Sequence, residues 1–276
     1  MMNLVKERVR SAVPLATRMR MAAWVAGQRW LPVGDHIAMG LVRDLLRDDP
    51  KAFHKFAWAN HFMGYARWYD SEEELFDLDQ MQPTRLEFFR DLTTALQAEG
   101  VSASEVRSVL EVGCSLGYLL RYLELRVFPD SNDIVGIDID APGIEKGKRF
   151  LAREGSRVSL IAGDMEQLEA LIGPRQFDVV FAAGVLSYLN EEDALRMVRQ
   201  MLSRTSKVLA LVGLAHTDRN NNTLTRSEIS PGHAGQWIHN FEALVKRAGG
   251  RVTQSRWEGG KQYNFQTICF VFAVPA

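Results

Sequence analysis

Three acids and two glycines carry the chemistry that this chain offers most openly. Glu111, Gly113 and Gly117 form the pattern E-x-G-x-x-x-G within Val109-Leu110-Glu111-Val112-Gly113-Cys114-Ser115-Leu116-Gly117-Tyr118. Asp138 ends the next apolar run, Ile134 to Asp138, and Asp164 follows the one after it in Ala162-Gly163-Asp164-Met165. Glycine permits positive φ and lets a ligand approach where a Cβ would stand. The helix start that follows leaves backbone N–H groups free. A dinucleotide fingerprint G-x-G-x-x-G would need glycine at 111 and 116, where this chain has Glu111 and Leu116. A carboxylate there repels a pyrophosphate and attracts an ammonium or sulfonium cation. Asp138 is placed to accept both hydrogen bonds of a ribose 2′,3′-diol. Asp164 can accept from an adenine amine, while Met165 packs on the ring and offers its N–H. One acid alone would read as a helix cap; three in register with the glycine loop read as a ligand site.

The elements that must hold these residues follow from the hydrophobic pattern. From residue 105 onward, apolar strands are predicted at 107–112, 134–138, 158–162, 177–183 and 207–213. Helices are predicted at 116–126, 142–153, 165–171 and 191–203. Strands alternating with helices make βαβ units, hence a parallel sheet with right-handed crossovers. The end of the chain differs: a helix at 235–248 stops at Gly249-Gly250, then strand 251–257, a Gly259-Gly260 loop and strand 265–274 follow. Two strands joined without a helix pair antiparallel, so the last should run against the others. The expected fold is α/β, a doubly wound, seven-stranded, mostly parallel sheet with its last strand antiparallel, plus an N-terminal helical cap. Ligands of such sheets bind at the carboxyl ends of the strands near the topological switch, where the three acids fall.

This combination resembles the class I S-adenosylmethionine-dependent methyltransferases of the Rossmann-like superfamily, over about 107–276. The resemblance implies S-adenosyl-L-methionine as cofactor and S-adenosyl-L-homocysteine as product. It implies that Glu111, Gly113 and Gly117, with Cys114 in the same loop, wall the methionine moiety. Asp138 would bind the ribose with Ile139 beneath the adenine, and Asp164 with Met165 would fix the base. The run 177–189 looks like the family's fourth strand and the loop after it, where carbonyls near Ala183 receive the ligand's ammonium group. Arg67-Trp68-Tyr69-Asp70 resembles the Tyr-Asp element that precedes the glycine loop in such enzymes, so Tyr69 would close over the methionine end. Arg85 is the candidate for the ligand carboxylate.

Methyl transfer from a sulfonium asks the protein to position the acceptor and remove its proton. Histidine suits the second task near neutral pH. Of the six histidines, His216 just past strand 207–213 is the first candidate base and His233 the second, with Tyr188 orienting the acceptor. His239 flanks Trp237 in the same region. No Asn/Asp-Pro-Pro-aromatic signature follows the fourth strand, which disfavours planar amine acceptors. No cluster has metal-ligand spacing, so no metal is expected. The expected partner is a small organic acceptor, with O-methylation slightly ahead of N- or C-methylation. A protein or lipid-like substrate, and a non-catalytic cofactor-binding scaffold, are the alternatives.

The chain has 276 residues, 46% hydrophobic and 24% charged, with net charge −1. That balance gives no reason to expect nucleic acid. The two cysteines, Cys114 and Cys269, have no CxxC neighbour, and a reducing cytoplasm is the expected setting. Residues 1–104 read as the helical cap over the substrate site, and 105–276 as the cofactor-binding catalytic domain. Asp49-Pro50 starts a helix in the cap. His54, Trp58, His61, Tyr65 and Trp68 then share one stripe, read first as core and second as an acceptor wall. Residues 1–34 carry Lys6, Arg8, Arg10, Arg18, Arg20 and Arg29 against Glu7. This segment is expected to pack as a partly apolar helix. Contact with a membrane surface, or a targeting presequence, is the less favoured reading. The sequence leaves the oligomeric state open.

Overall fold

The computed structural model describes residues 13–28, 34–60, 76–263 and 266–276. The chain divides into two compact units, Met1–Ser71 and Glu72–Ala276.

In the first unit, α1 (Leu15–Ala26), α2 (Gly34–Asp48) and α3 (Pro50–Ala59) share a small core of Ala22, Ala38, Val42, Leu45, Phe53, Phe56 and Ala57. Arg18 is buried in α1 and forks onto both carboxylate oxygens of Asp44 at 2.8 Å, with a third bond to the Leu41 carbonyl at 2.6 Å. Such a bidentate pair fixes the two helices against each other. The Asp49 side chain caps α3 by accepting from Ala52 N at 3.0 Å, with Pro50 at the first helical position. Helix α3 ends at Ala59, so it holds only His54, which is buried, and Trp58 of the aromatic stripe. His61, Tyr65 and Trp68, like Tyr69, lie outside the described residues.

The second unit opens with α4 (Pro83–Ala98) and then builds the sheet from β1 (Ser108–Val112), β2 (Asp133–Asp138), β3 (Val158–Ala162), β4 (Phe177–Ala183) and β5 (Thr205–Val212). Between these strands lie α5 (Tyr118–Tyr122, continued by a π-turn over Leu123–Val127), α6 (Ala141–Arg153), α7 (Leu168–Ile172) and α8 (Glu191–Ser203). After β5 come a short ribbon of β6 (Glu228–Ile229) and β7 (Trp237–Ile238), then α9 (Phe241–Ala248), β8 (Gly250–Tyr263) and β9 (Gln266–Pro275). The main sheet has seven strands in the order β3-β2-β1-β4-β5-β9-β8. The first five strands are parallel, and β9 runs antiparallel to both neighbours, as expected. The inner strands bury both faces because their residues are almost all Val, Leu, Ile, Phe and Ala. Strand β1 lies between β2 and β4, so the connection order reverses at its carboxyl end.

Several boundaries differ from the sequence expectation. The helix expected at 235–248 begins at Phe241, because Asn240 caps it by accepting from Ala243 N at 3.0 Å and 237–238 is already strand. Strand β8 continues through Gly259-Gly260, where a loop was expected, to Tyr263; its register with β9 shifts between Glu258 and Tyr263. The helical region expected to run to 104 is divided. Helix α4 belongs with the sheet, its Phe88 packing within 5.5–5.9 Å, centroid to centroid, of Phe181, Phe270 and Phe272. Helical periodicity is the same in both units and carries no mark of which core a helix joins.

Candidate functional site

The glycine loop leaves β1 and turns back over the end of β2. Gly113 N and Cys114 N both donate to the Ile137 carbonyl, at 2.8 and 3.1 Å. Gly113, Ser115 and Gly117 adopt φ of 81°, 55° and 84°. This left-handed run is strained for residue types with a Cβ, and Ser115 is the single non-glycine with positive φ among the described residues. A Cβ on Gly113 would stand 2.6 Å from that of Val185, so the loop packs directly on the turn after β4. The Cys114 thiol points down instead. It fills space over Gly136, where a Cβ would meet its Sγ at 2.6 Å, and burial pushes the thiol well above its ordinary pKa. Cys114 therefore offers the site backbone only.

The Asp138 carboxylate sits at the floor of this loop. It accepts from Ser115 N at 2.7 Å on one oxygen and Asp140 N at 3.0 Å on the other. Burial raises its pKa, while these amides hold it down. Ile139 follows it, half-buried. Asp164 accepts from Glu166 N at 3.0 Å and so caps the short turn Met165–Gln167. Met165 is half-buried and packed on the main core. The carboxyl ends of β1, β2 and β3 thus bring Glu111, Asp138 and Asp164 to one edge, in the order expected.

Glu111 is buried beneath the loop, opposite Gly136 of β2 and Phe181 of β4 in the sheet register. Its Oε2 has no hydrogen-bond partner among the described residues. Burial holds this carboxyl well above the ordinary range; the nearby Arg85 cation opposes that effect and Asp138 adds to it. Arg85 comes from the first turn of α4, and its buried Nε likewise has no partner among the described residues. Tyr118 completes the group: its hydroxyl bonds to Arg85 and burial raises its pKa. No role for Tyr118 was read from the sequence, and its place directly after the last loop glycine was the available signal. Ala183 ends β4 beside this edge, and Gly184, at φ 96°, turns the chain into the short helix Val185–Tyr188.

The candidate bases lie in the segment between β5 and α9, which includes the β6–β7 ribbon. His216 Nδ1 accepts from Asp218 N at 3.1 Å, and its Nε2 is 4.0 Å from Glu228 Oε2. With Nδ1 accepting, the neutral ring carries its proton on Nε2. His233 is exposed and its Nδ1 is 3.1 Å from Ser230 Oγ. His239 is a structural group: its buried ring bridges Ser227 Oγ at 2.7 Å and the Leu186 carbonyl at 3.0 Å. Burial lowers its pKa to about 4. Asn221, also buried, donates to the Leu214 and His239 carbonyls at 2.9 Å and accepts from His216 N at 2.8 Å. Ser187 Oγ, 3.2 Å from Gln236 Oε1, ties the ribbon to the turn after β4, next to Tyr188. Among the described residues no group of three or more His, Cys, Asp or Glu could hold a metal.

A doubly wound sheet with one reversed strand, a glycine loop at its switch point and acids on three successive strand ends define a class I, Rossmann-like methyltransferase fold. Residues 109–207 match the family model described as a methyltransferase domain. The chain is 28% identical over 129 residues to a ubiquinone biosynthesis O-methyltransferase of Bordetella avium, covering 47% of this chain and 48% of that protein. It thus spans about half the length of this curated relative. Magnesium protoporphyrin IX methyltransferase from Synechocystis, solved with S-adenosylhomocysteine, superposes with TM-score 0.56 at 16% identity, over 82% of this chain and 100% of that one. A methyltransferase from Clostridium acetobutylicum gives TM-score 0.54 at 10% identity, over 77% and 99%. The mitomycin 7-O-methyltransferase gives 0.50 at 17%, over 99% and 72%. S-adenosylmethionine is the cofactor of this domain class.

Proposed function

We infer that the chain is an S-adenosylmethionine-dependent methyltransferase acting on a small organic acceptor, with transfer to oxygen favoured. The observation that supports it best is the pair of buried atoms without partners among the described residues, Glu111 Oε2 and Arg85 Nε. A buried carboxyl oxygen and a buried guanidinium N–H without partners cost stability, and a ligand bearing both an ammonium and a carboxylate can satisfy both. The amino-acid end of S-adenosylmethionine is such a ligand, and Gly113 keeps the floor clear of a Cβ. Asp138 would take the ribose hydroxyls, Ile139 and Met165 the adenine faces, Asp164 the adenine amine and the carbonyl near Ala183 the ammonium. Bound there, the cofactor supplies an activated methyl group for in-line transfer.

The protein's remaining task is to hold the acceptor and move its proton. His216 is proposed as the base, His233 as the second candidate and Tyr188 as the group that orients the acceptor. For His216 to accept the proton at Nδ1, that nitrogen must leave the Asp218 amide, while Nε2 keeps its own proton with Glu228 4.0 Å away to favour the resulting cation. Transfer to oxygen is supported by the O-methyltransferases among the similar proteins. A soluble cytoplasmic setting is part of the same proposal. The test is calorimetry with S-adenosylmethionine, followed by cell extract incubated with methyl-labelled cofactor and separated by size. Micromolar binding and label in small molecules support the reading. Label in macromolecules would shift it to a protein substrate, and absence of binding at millimolar cofactor would end it.

A further inference from the structure

The face of α1 that turns away from α2 is unlike the rest of the surface. Arg18, Ala22, Met19, Ala23, Val25 and Ala26 face the core of the first unit, wholly or partly buried. The opposite face presents Trp24, 67% exposed, Met21, 44% exposed, and one turn before Trp24 the exposed Arg20. Arg18 near the start of α1 is held by Leu41 and Asp44 in the second half of α2. Ile37, near the start of α2, is 45% exposed. Helix α1 has no acidic residue, and Asp44 of α2 pairs with Arg18 on its core side. Residues 1–33 hold six cations and a single acid in a chain whose net charge is −1, so the positive charge is segregated to this end.

We propose that this face of α1, with Trp24 and Met21 as apolar anchors and Arg20 as the cation one turn before Trp24, docks on an anionic lipid bilayer surface. Tryptophan favours the headgroup boundary because its ring is apolar and its N–H polar. An arginine stem lies along the same boundary while the guanidinium meets lipid phosphate. A second copy of the chain is the poorer occupant. Two such faces would bring like charges together, and two apolar side chains fall far short of the roughly 800 Å² per partner of a stable interface. No described helix is long and apolar enough to cross a membrane, so the contact is peripheral. The proposal stands apart from catalysis.

The test is co-sedimentation of the full chain with vesicles of phosphatidylcholine alone and of phosphatidylcholine mixed with phosphatidylglycerol. Binding is expected to the mixed vesicles only, and to fall with added salt. Arg20→Glu should weaken it at least fivefold, on the scale of one headgroup charge. Trp24→Glu should weaken it at least tenfold, while Trp24→Phe stays within about twofold. Circular dichroism and thermal melting of each variant show that the helices remain folded; both positions face solvent. Equal binding to both vesicle types, no binding to either, or binding that both Glu variants keep would overturn the proposal. So would a solution dimer that Trp24→Glu dissociates, which would assign the face to a second copy.

Discussion

Glu111 is the residue at which stability and function oppose each other. Its folded pKa lies above the unfolded value, so its contribution to stability is fully present at acid pH and is lost as pH rises through the folded value. Glu111→Gln removes that cost. The variant without cofactor should melt higher than the parent, by a margin that grows from pH 5 to pH 8. The same change should weaken S-adenosylmethionine at least tenfold, about 1.5–3 kcal/mol for a lost charge-assisted bond. Binding to the parent should release protons, because a cationic ligand favours the ionised acid. Calorimetry in two buffers of different ionisation enthalpy measures this, and the Gln variant should lose the release. Gly113→Ala makes a separate point about shape. Its φ of 81° and the 2.6 Å approach to Val185 predict a loss of about 1–3 kcal/mol in urea titration, with cofactor binding falling alongside.

Among the elements, the segment from Gly213 to Asn240 is braced by buried polar side chains more than by apolar ones. Asn221→Ala would leave two carbonyls and the His216 amide without partners, at a cost of about 2–4 kcal/mol, read as a lowered urea midpoint. The His239 ring braces the same segment. Its unfolded value of 6.5 lies above the folded value of about 4, so between those pH values the unfolded chain binds the extra proton. The stability it confers is complete above pH 6.5 and is lost as pH falls toward 4, by about 3 kcal/mol in all. Urea titrations at pH 7, 5.5 and 4.5 should show that slope, and His239→Gln should flatten it. If turnover is measured, His216→Ala should lower it far more than it changes cofactor affinity. An unchanged rate would remove His216 as the base.

For the whole molecule, the two units imply a division of labour. Every proposed cofactor contact lies in Glu72–Ala276, the unit that holds the sheet and α4. A chain beginning at Glu72 is therefore expected to bind S-adenosylhomocysteine within about threefold of the full chain, by calorimetry. A larger loss would show that Glu72–Ala276 does not hold the cofactor by itself.

The sequence by itself determined the sheet and the class of ligand. Strand–helix alternation, a helix-free link before the last strand and acids at three strand ends are local patterns, and local patterns survive in one dimension. The loop from Glu111 to Gly117 announced itself because glycine is required wherever backbone turns at positive φ. The tertiary structure alone decided what surrounds that loop. Arg85 and Tyr118 meet Glu111 because α4 packs on the sheet through Phe88, and no spacing in the chain encodes that approach. In the sequence His239 stands with His233 on either side of Trp237, with nothing local to show its different role. Burial against Leu186 and Ser227, contacts 53 and 12 residues away, makes it a brace and leaves His216 and His233 as candidates. The start of α9 was misplaced for the same reason: the pairing of Trp237 with Ile229 is a contact across the chain, and it outweighs the helical pattern that precedes Asn240. Glycine and charge report on the chain's own backbone, whereas the environment of a side chain depends on what folds against it.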